Sequence, residues 1–471
     1  MKTPLILDPD RLFPAQPVIR QIARELHEGV EDLPIVSPHG HTDPAWFANN
    51  QPFANPAELL IIPDHYLLRM LYSQGIPLER LGIPRLDGGR PETDPRAIWR
   101  IFAENYALFR GTPSRLWLDW VFAKVFSIDV RLSNETADFY FDAIDDALKR
   151  SEFLPRALFD RFNIEVLATT ESPLERLQHH EAIRRSGWSG RVITAYRPDP
   201  VMDPEYPDFA ENLLRFGEIT GEDVTSFEGY LRAHQERRSF FREAGATSTD
   251  HGHPTPFTAD LPKAEREALY ASIRHGGFSG DEAELFRGQM LTEMARMSLE
   301  DGMVMQIHPG VYRSHNPQLL RGFGRDKGAD IPIPTEYVRN LKPVLDRFGS
   351  DPRLTIILFT LDESTYSREL APLAGHYPAI RIGAPWWFHD SPEGMRRFRE
   401  QVTETAGFSN TVGFIDDTRA FLSIPARHDV ARRMDCTFLA RLVAEHRLCK
   451  DEAHEVARLL AYDLTKRAYK L

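Results

Sequence analysis

Apolar residues along this chain gather into short continuous runs, each followed by polar residues and then by apolar positions at helical spacing. Eight such runs stand out: 32–37, 164–169, 191–196, 246–249, 303–307, 354–359, 379–383 and 411–415. In the sixth, Ile356-Ile357-Leu358-Phe359 shows no polar alternation, the pattern of a parallel strand buried on both faces. Helical patterns separate most of the runs, for example 173–185 and 335–347. After the last run, Val430, Met434, Phe438 and Leu442 recur at i+4 on one helical face. Strands alternating with helices eight times over predict an α/β chain folded as a (β/α)8 barrel. The fourth run is the least strand-like, because Ala246-Thr247-Ser248-Thr249 reads equally well as loop.

The gap between the first two runs is long and itself helical, with patterns over 56–74, 95–109, 116–126 and 134–150 broken by Pro- and Gly-containing turns. This predicts a barrel made of residues 1–46 and 151–471, with a helical insertion, 47–150, after strand one. Such an insertion sits at the end of the barrel where the strand-to-helix loops build active sites. No repeat of fixed period and no low-complexity tract occurs, which excludes solenoids and propellers.

Composition narrows the function. The 471 residues are 42% hydrophobic and 27% charged, enough to bury a core and incompatible with wholesale disorder. Lys plus Arg number 57 against 69 Asp plus Glu, a net charge of −12, which argues against nucleic acid and anionic membrane as partners. The two cysteines rule out a disulfide framework and a Cys-rich zinc site, and fit a reducing compartment. The apolar run near the start is too short for a signal peptide, and none approaches a membrane span. The expected location is the cytoplasm. No Walker A or dinucleotide fingerprint calls for ATP or NAD.

In a barrel, chemistry is sought just past the C-terminal end of each strand. Run one is followed by His39-Gly40-His41, and alternate residues of a strand face the same way, so both imidazoles can reach one metal ion. A second such sequence, His251-Gly252-His253, follows run four; the first is preferred for its apolar strand and its company. That company is Thr169-Thr170-Glu171, Arg197-Pro198-Asp199, Asp250, Gln306-Ile307-His308, Asp362, Trp386-Trp387-Phe388 and Asp416-Asp417-Thr418-Arg419. Two histidines and one of the two aspartates after run eight meet the preference of a divalent ion for imidazole and carboxylate. Each residue has a plain alternative: Arg197 pairing with Asp199, Asp416 capping a helix, His308 in a hydrogen-bonded core. Convergence from at least five strand ends favours a site.

These segments, in this order, resemble uronate isomerase (glucuronate isomerase), a family of the amidohydrolase superfamily. The matching stretches also include Asp64-His65-Tyr66 with Arg69, His179-His180, Ile183-Arg184, Gly310, Arg313, Asp390, Gly394-Met395 and Phe421. The resemblance implies a distorted TIM-type barrel of the metal-dependent hydrolase superfamily. It also implies one divalent metal, usually zinc, held by His39, His41 and Asp417. The reaction implied is D-glucuronate to D-fructuronate, and D-galacturonate to D-tagaturonate, in uronate breakdown. Strand six offers no histidine, which speaks for one metal rather than a binuclear hydrolase centre. Two departures occur: Leu67-Leu68 replaces a common Lys-Trp pair, and Thr-Thr-Glu-Ser stands for Thr-Thr-Asp-Asp. The first is expected to alter side chains beside the site and so to bear on substrate preference.

Aldose–ketose isomerisation needs a base for the carbon acid and stabilisation of charge on oxygen. The expected catalytic residues are Asp417, shuttling a hydroxyl proton, with Tyr66 and His65 at the reacting end. Tyr66 also reads as a buried anchor of the insertion. The expected substrate contacts are Arg197 on the carboxylate, with Arg419, His308, Asp250 and Trp386. The Gly322, Gly324 and Gly328 stretch reads as a surface loop or a lid. A uronate is the only partner expected, and the oligomeric state, a homo-oligomer included, stays open. The competing functions are an amidohydrolase acting on a lactone or amide with one metal, and a non-catalytic uronate-binding barrel.

Overall fold

In the computed structural model, which describes residues 3–471, seven parallel strands form one curled sheet wrapped by helices, a distorted (β/α)8 barrel. Its order is β1 (Ile35–Ser37), β2 (Ile164–Glu171), β3 (Arg191–Tyr196), β4 (Ser248–His251), β5 (Val304–Ile307), β8 (Ile356–Leu358) and β9 (Ile380–Ile382). Between β5 and β8 the chain forms a separate antiparallel pair, β6 (Val311–Tyr312) and β7 (Ile331–Pro332), which the apolar pattern did not announce.

Of the strand boundaries that differ from expectation, three have clear local reasons. β1 begins at Ile35 because Pro34 has no N–H to give a ladder. β4 begins two residues late, because the amide of Ala246 closes the end of helix Phe227–Glu243 through the Phe241 carbonyl at 2.9 Å. The eighth run forms only one bridge, Thr411 to Ile382. Gly413 lies at φ +75, and a Cβ there would fall 2.7 Å from the Leu460 carbonyl and from Thr465 Oγ1. That backbone cannot continue a ladder. The segment nevertheless reaches β1: Ser37 Oγ donates to Asp416 at 3.1 Å, and the His41 amide to the Thr418 carbonyl at 3.0 Å.

Residues 44–161 contain helices and turns apart from the isolated Val130 bridge to Pro4. Proline recurs at the first helical position after a capping side chain: Asp43-Pro44, Asn55-Pro56, Asp94-Pro95 and Thr112-Pro113. There the missing N–H costs nothing and the preceding side chain accepts from the first turn. These helices bury Trp99, Phe102, Phe122 and Tyr140 in a cluster that also contains Ile35, Ile164 and Leu167 of β1 and β2. The helical region and the first two strands therefore share one core.

Candidate active site

His39 and His41 extend the face of β1 that carries Ser37, and point into the barrel mouth. Asp417, from the irregular eighth segment, meets both: its Oδ1 lies 3.5 Å from His39 Nε2 and 3.2 Å from His41 Nε2. Asp417 is held at φ +35, an unusual conformation for a non-glycine residue and one that recurs at functional sites. Gly40 lets the strands approach, since a Cβ there would lie 3.4 Å from the Thr418 carbonyl and 3.5 Å from that of Ala168.

A buried polar chain runs on from this centre. His308 stacks on His39 with ring centres 4.8 Å apart, and its Nδ1 lies 2.7 Å from Asp250 Oδ1. Asp250 Oδ2 is 3.0 Å from Arg197 Nη1, and Arg197 Nε donates to Asp199 at 2.9 Å. Opposite stands the helix His65–Ser73, capped by Asp64, whose carboxylate accepts from the Tyr66 amide at 2.8 Å. His65 stacks on Trp387, and Tyr66 meets the ring of Trp117 edge-on. The structure brings His39, His41, His65, Tyr66, Arg197, Asp250, His308, Trp386, Asp417 and Arg419 to the wall of one cavity of about 690 Å³.

Burial and pairing set the charges. Burial opposes ionisation of Asp417, but His39 and His41 hold its carboxyl well below the usual range. Asp250 is likewise kept ionised against burial by Arg197 and His308. Burial, with Arg419 adding to it, pushes His65 down to about 3, so its imidazole is neutral. Burial raises the Tyr66 phenol, which stays protonated. Glu171, at the end of β2, is pushed up to about 7 by burial, against hydrogen bonds from Thr169 and Thr194. A carboxyl raised in the folded state costs stability as pH climbs from its unfolded pKa through 7. Glu171→Gln is therefore expected to stabilise the fold at pH 8, by up to about 3 kcal/mol, and to change little at pH 4. Denaturant unfolding at the two pH values measures this, and an equal effect at both would contradict it.

Several expectations need correction or completion. Leu67 and Leu68 do not stand beside the site: both are fully buried in the core shared with β1 and β2. Of the two aspartates after run eight, Asp416 faces away from the histidine pair, bound by Ser37 and by His428 at 3.1 Å. Two of the three guanidinium nitrogens of Arg197 are engaged within the protein, Nε by Asp199 and Nη1 by Asp250. The two histidines of the second His-x-His do not line the cavity, although Gly252 between them does. On β4 it is Ser248 and Asp250 that face inward, toward Gln306 and His308, so His251 faces the helices. Cavity residues not singled out by sequence include Arg325, Asp326, Tyr206 and Arg427. Arg325 and Asp326 arrive on the glycine-rich loop between β6 and β7, where Gly328, at φ +79, sits where a Cβ would lie 2.8 Å from the His65 carbonyl. Arg427 comes from helix Ile424–Ala444, stacked on Trp117 and paired with Asp390. Their spacing in sequence carries no strand-end signal.

The family model for glucuronate isomerase matches residues 17–469. The chain belongs to the glucuronate isomerase family. It is 66% identical to the uronate isomerase of Phenylobacterium zucineum over 471 residues, covering 100% of this chain and 98% of that protein. The crystal structure of glucuronate isomerase from Caulobacter crescentus is 63% identical and superposes with a TM-score of 0.98, covering 99% of this chain and 97% of that one. The uronate isomerase structure from Thermotoga maritima, 26% identical, gives 0.91 over 98% and 99%. The donor set at the barrel mouth fits a metal ion. His39, His41 and Asp417 offer ligand atoms all within 4.8 Å of one another, and the nearby His308 Nε2 is buried with no hydrogen-bond partner among the described residues. Two imidazoles and a carboxylate suit a divalent ion.

Proposed function

We propose that this chain interconverts D-glucuronate with D-fructuronate, and D-galacturonate with D-tagaturonate, by proton transfer through an enediol, in cytoplasmic uronate breakdown. The observation that carries the reading is the convergence of an ionised Asp417, a neutral Tyr66 and a ring of arginines on one cavity. His39, His41 and Asp417 would hold a divalent metal, with zinc the proposed ion, which when bound supplies a Lewis acid for the sugar oxygens.

The chain's own groups supply the rest. Asp417, ionised at working pH, exchanges a proton with the substrate hydroxyl as the sugar ring opens and closes. Tyr66, protonated, gives a hydrogen bond to the oxygen that gains charge as the carbon proton leaves. His65, neutral and held by stacking on Trp387, takes that carbon proton and returns it to the neighbouring carbon. His308, fixed by Asp250, and Trp386, packed edge-on to His308 with ring centres 4.8 Å apart, shape the opposite side. Arg197 and Arg419 provide the positive field for the carboxylate at the far end of the sugar.

The test is direct. Metal-replete protein incubated with each uronate should yield the matching ketose, followed by proton NMR. Dialysis against a chelator should abolish turnover and a divalent ion should restore it. Metal-replete protein that forms neither ketose would overturn the reading.

A further inference from the structure

The second His-x-His sequence has its own buried neighbourhood. His251 and His253 point from the end of β4 toward the helical layer, where they meet Asp199 from the segment after β3. All three are buried, and each offers a ligand atom within 4.8 Å of the others. His253 Nε2 stands 4.0 Å from Asp199 Oδ1, and the two imidazole rings lie 5.8 Å apart at 77°.

What distinguishes this cluster is its unmet hydrogen bonding. Among the described residues neither ring nitrogen of His253 has a partner, and neither does Nδ1 of His251, although all three are shut off from solvent. Buried polar atoms in folded proteins nearly always have partners, and three orphans beside one carboxylate demand an occupant. His251 is oriented for ligation, because Thr249 Oγ1 engages its Nε2 at 3.0 Å and leaves Nδ1 free. The cations nearby are already neutralised: Arg287 by Asp203 and Glu205, both at 2.8 Å, and Arg197 by Asp199 and Asp250.

We propose that Asp199, His251 and His253 hold a second divalent ion of the zinc class, separate from the centre at His39, His41 and Asp417. Two imidazoles and a carboxylate are the donors such an ion prefers. The ion is a positioning element. Asp199 also accepts from Arg197 Nε and from the Gly252 amide, so anchoring Asp199 fixes the guanidinium that faces the cavity. The packing is tight: a Cβ at Gly252 would lie 2.3 Å from Arg197 Nη2 and 2.8 Å from Asp199 Oδ2.

The experiment reads metal rather than turnover, so it fails independently of the isomerase reading. Full-length protein is stripped with a chelator, reloaded with zinc, desalted and assayed for zinc per chain. Wild type is expected to hold two equivalents. His39→Ala and His253→Gln should each hold one, and the double variant none. Crystals of the zinc-loaded wild type should show an anomalous peak between Asp199, His251 and His253, a result that does not depend on any variant folding. A wild-type stoichiometry of one that His253→Gln leaves intact would overturn the proposal, as would two equivalents unaffected by His253→Gln. The absence of an anomalous peak there would do the same.

Discussion

Asp417→Asn is expected to lower kcat/KM by roughly three decades or more, about 4 kcal/mol of transition-state stabilisation. The carboxamide has nearly the shape of the carboxylate, so the strained turn at φ +35 and the strand packing around Gly40 are kept. What is lost is the charge. Asp417 is the anion facing His39 and His41, and those two imidazoles are what hold it ionised. Removing it takes one anionic donor from the proposed metal set and the acceptor for a substrate hydroxyl proton. Both the metal content of the proposed centre and kcat should fall, with the unfolding midpoint changed far less. A variant that retains turnover within tenfold of wild type would show that Asp417 does neither job.

Much of this could be read from sequence because barrel strands are buried on both faces and leave continuous apolar runs. Residues at the strand ends then name themselves. The eighth strand misleads because its apolar run is real but Gly413 takes a backbone that no ladder accepts. The two His-x-His sequences look alike on paper, and only strand parity separates them. His39 and His41 share the inward face of Ser37, whereas His251 alternates with the inward Ser248 and Asp250. One residue of register decides between cavity and helical layer. Leu67-Leu68 was expected beside the site because it follows His65-Tyr66 directly, yet helical geometry turns it into the core. Arg325, Asp326 and Arg427 come from a loop and a helix whose approach is set by tertiary packing, and no local pattern marks them.

Arg197→Ala is expected to cost about two decades or more in kcat/KM, roughly 3 kcal/mol, and also to destabilise the fold. The two effects have different origins. A uronate carries its carboxylate at the far end of the carbon chain, and an acidic protein of net −12 must supply a local cation for it. Arg197 faces the cavity, but its Nε and Nη1 already bind Asp199 and Asp250, and Asp250 is completely buried. Truncation leaves those carboxylates without their cation, a loss worth about 3–5 kcal/mol when one partner of a buried pair is removed. Arg197→Lys keeps the charge but cannot span both carboxylates, so it too should be impaired, by a smaller factor. Two readouts on the same variant separate the contributions: the unfolding midpoint reports the orphaned carboxylates, and kcat/KM measured well below that midpoint reports the lost substrate cation. A divalent ion bound at the proposed centre of His39, His41 and Asp417 should remain bound throughout, because Arg197 is no ligand. If Arg197→Ala turns over glucuronate normally, the carboxylate is held elsewhere. Arg419 is then the residue to truncate next, since its guanidinium lines the same cavity with Asp326 at 3.3 Å as its ion-pair partner.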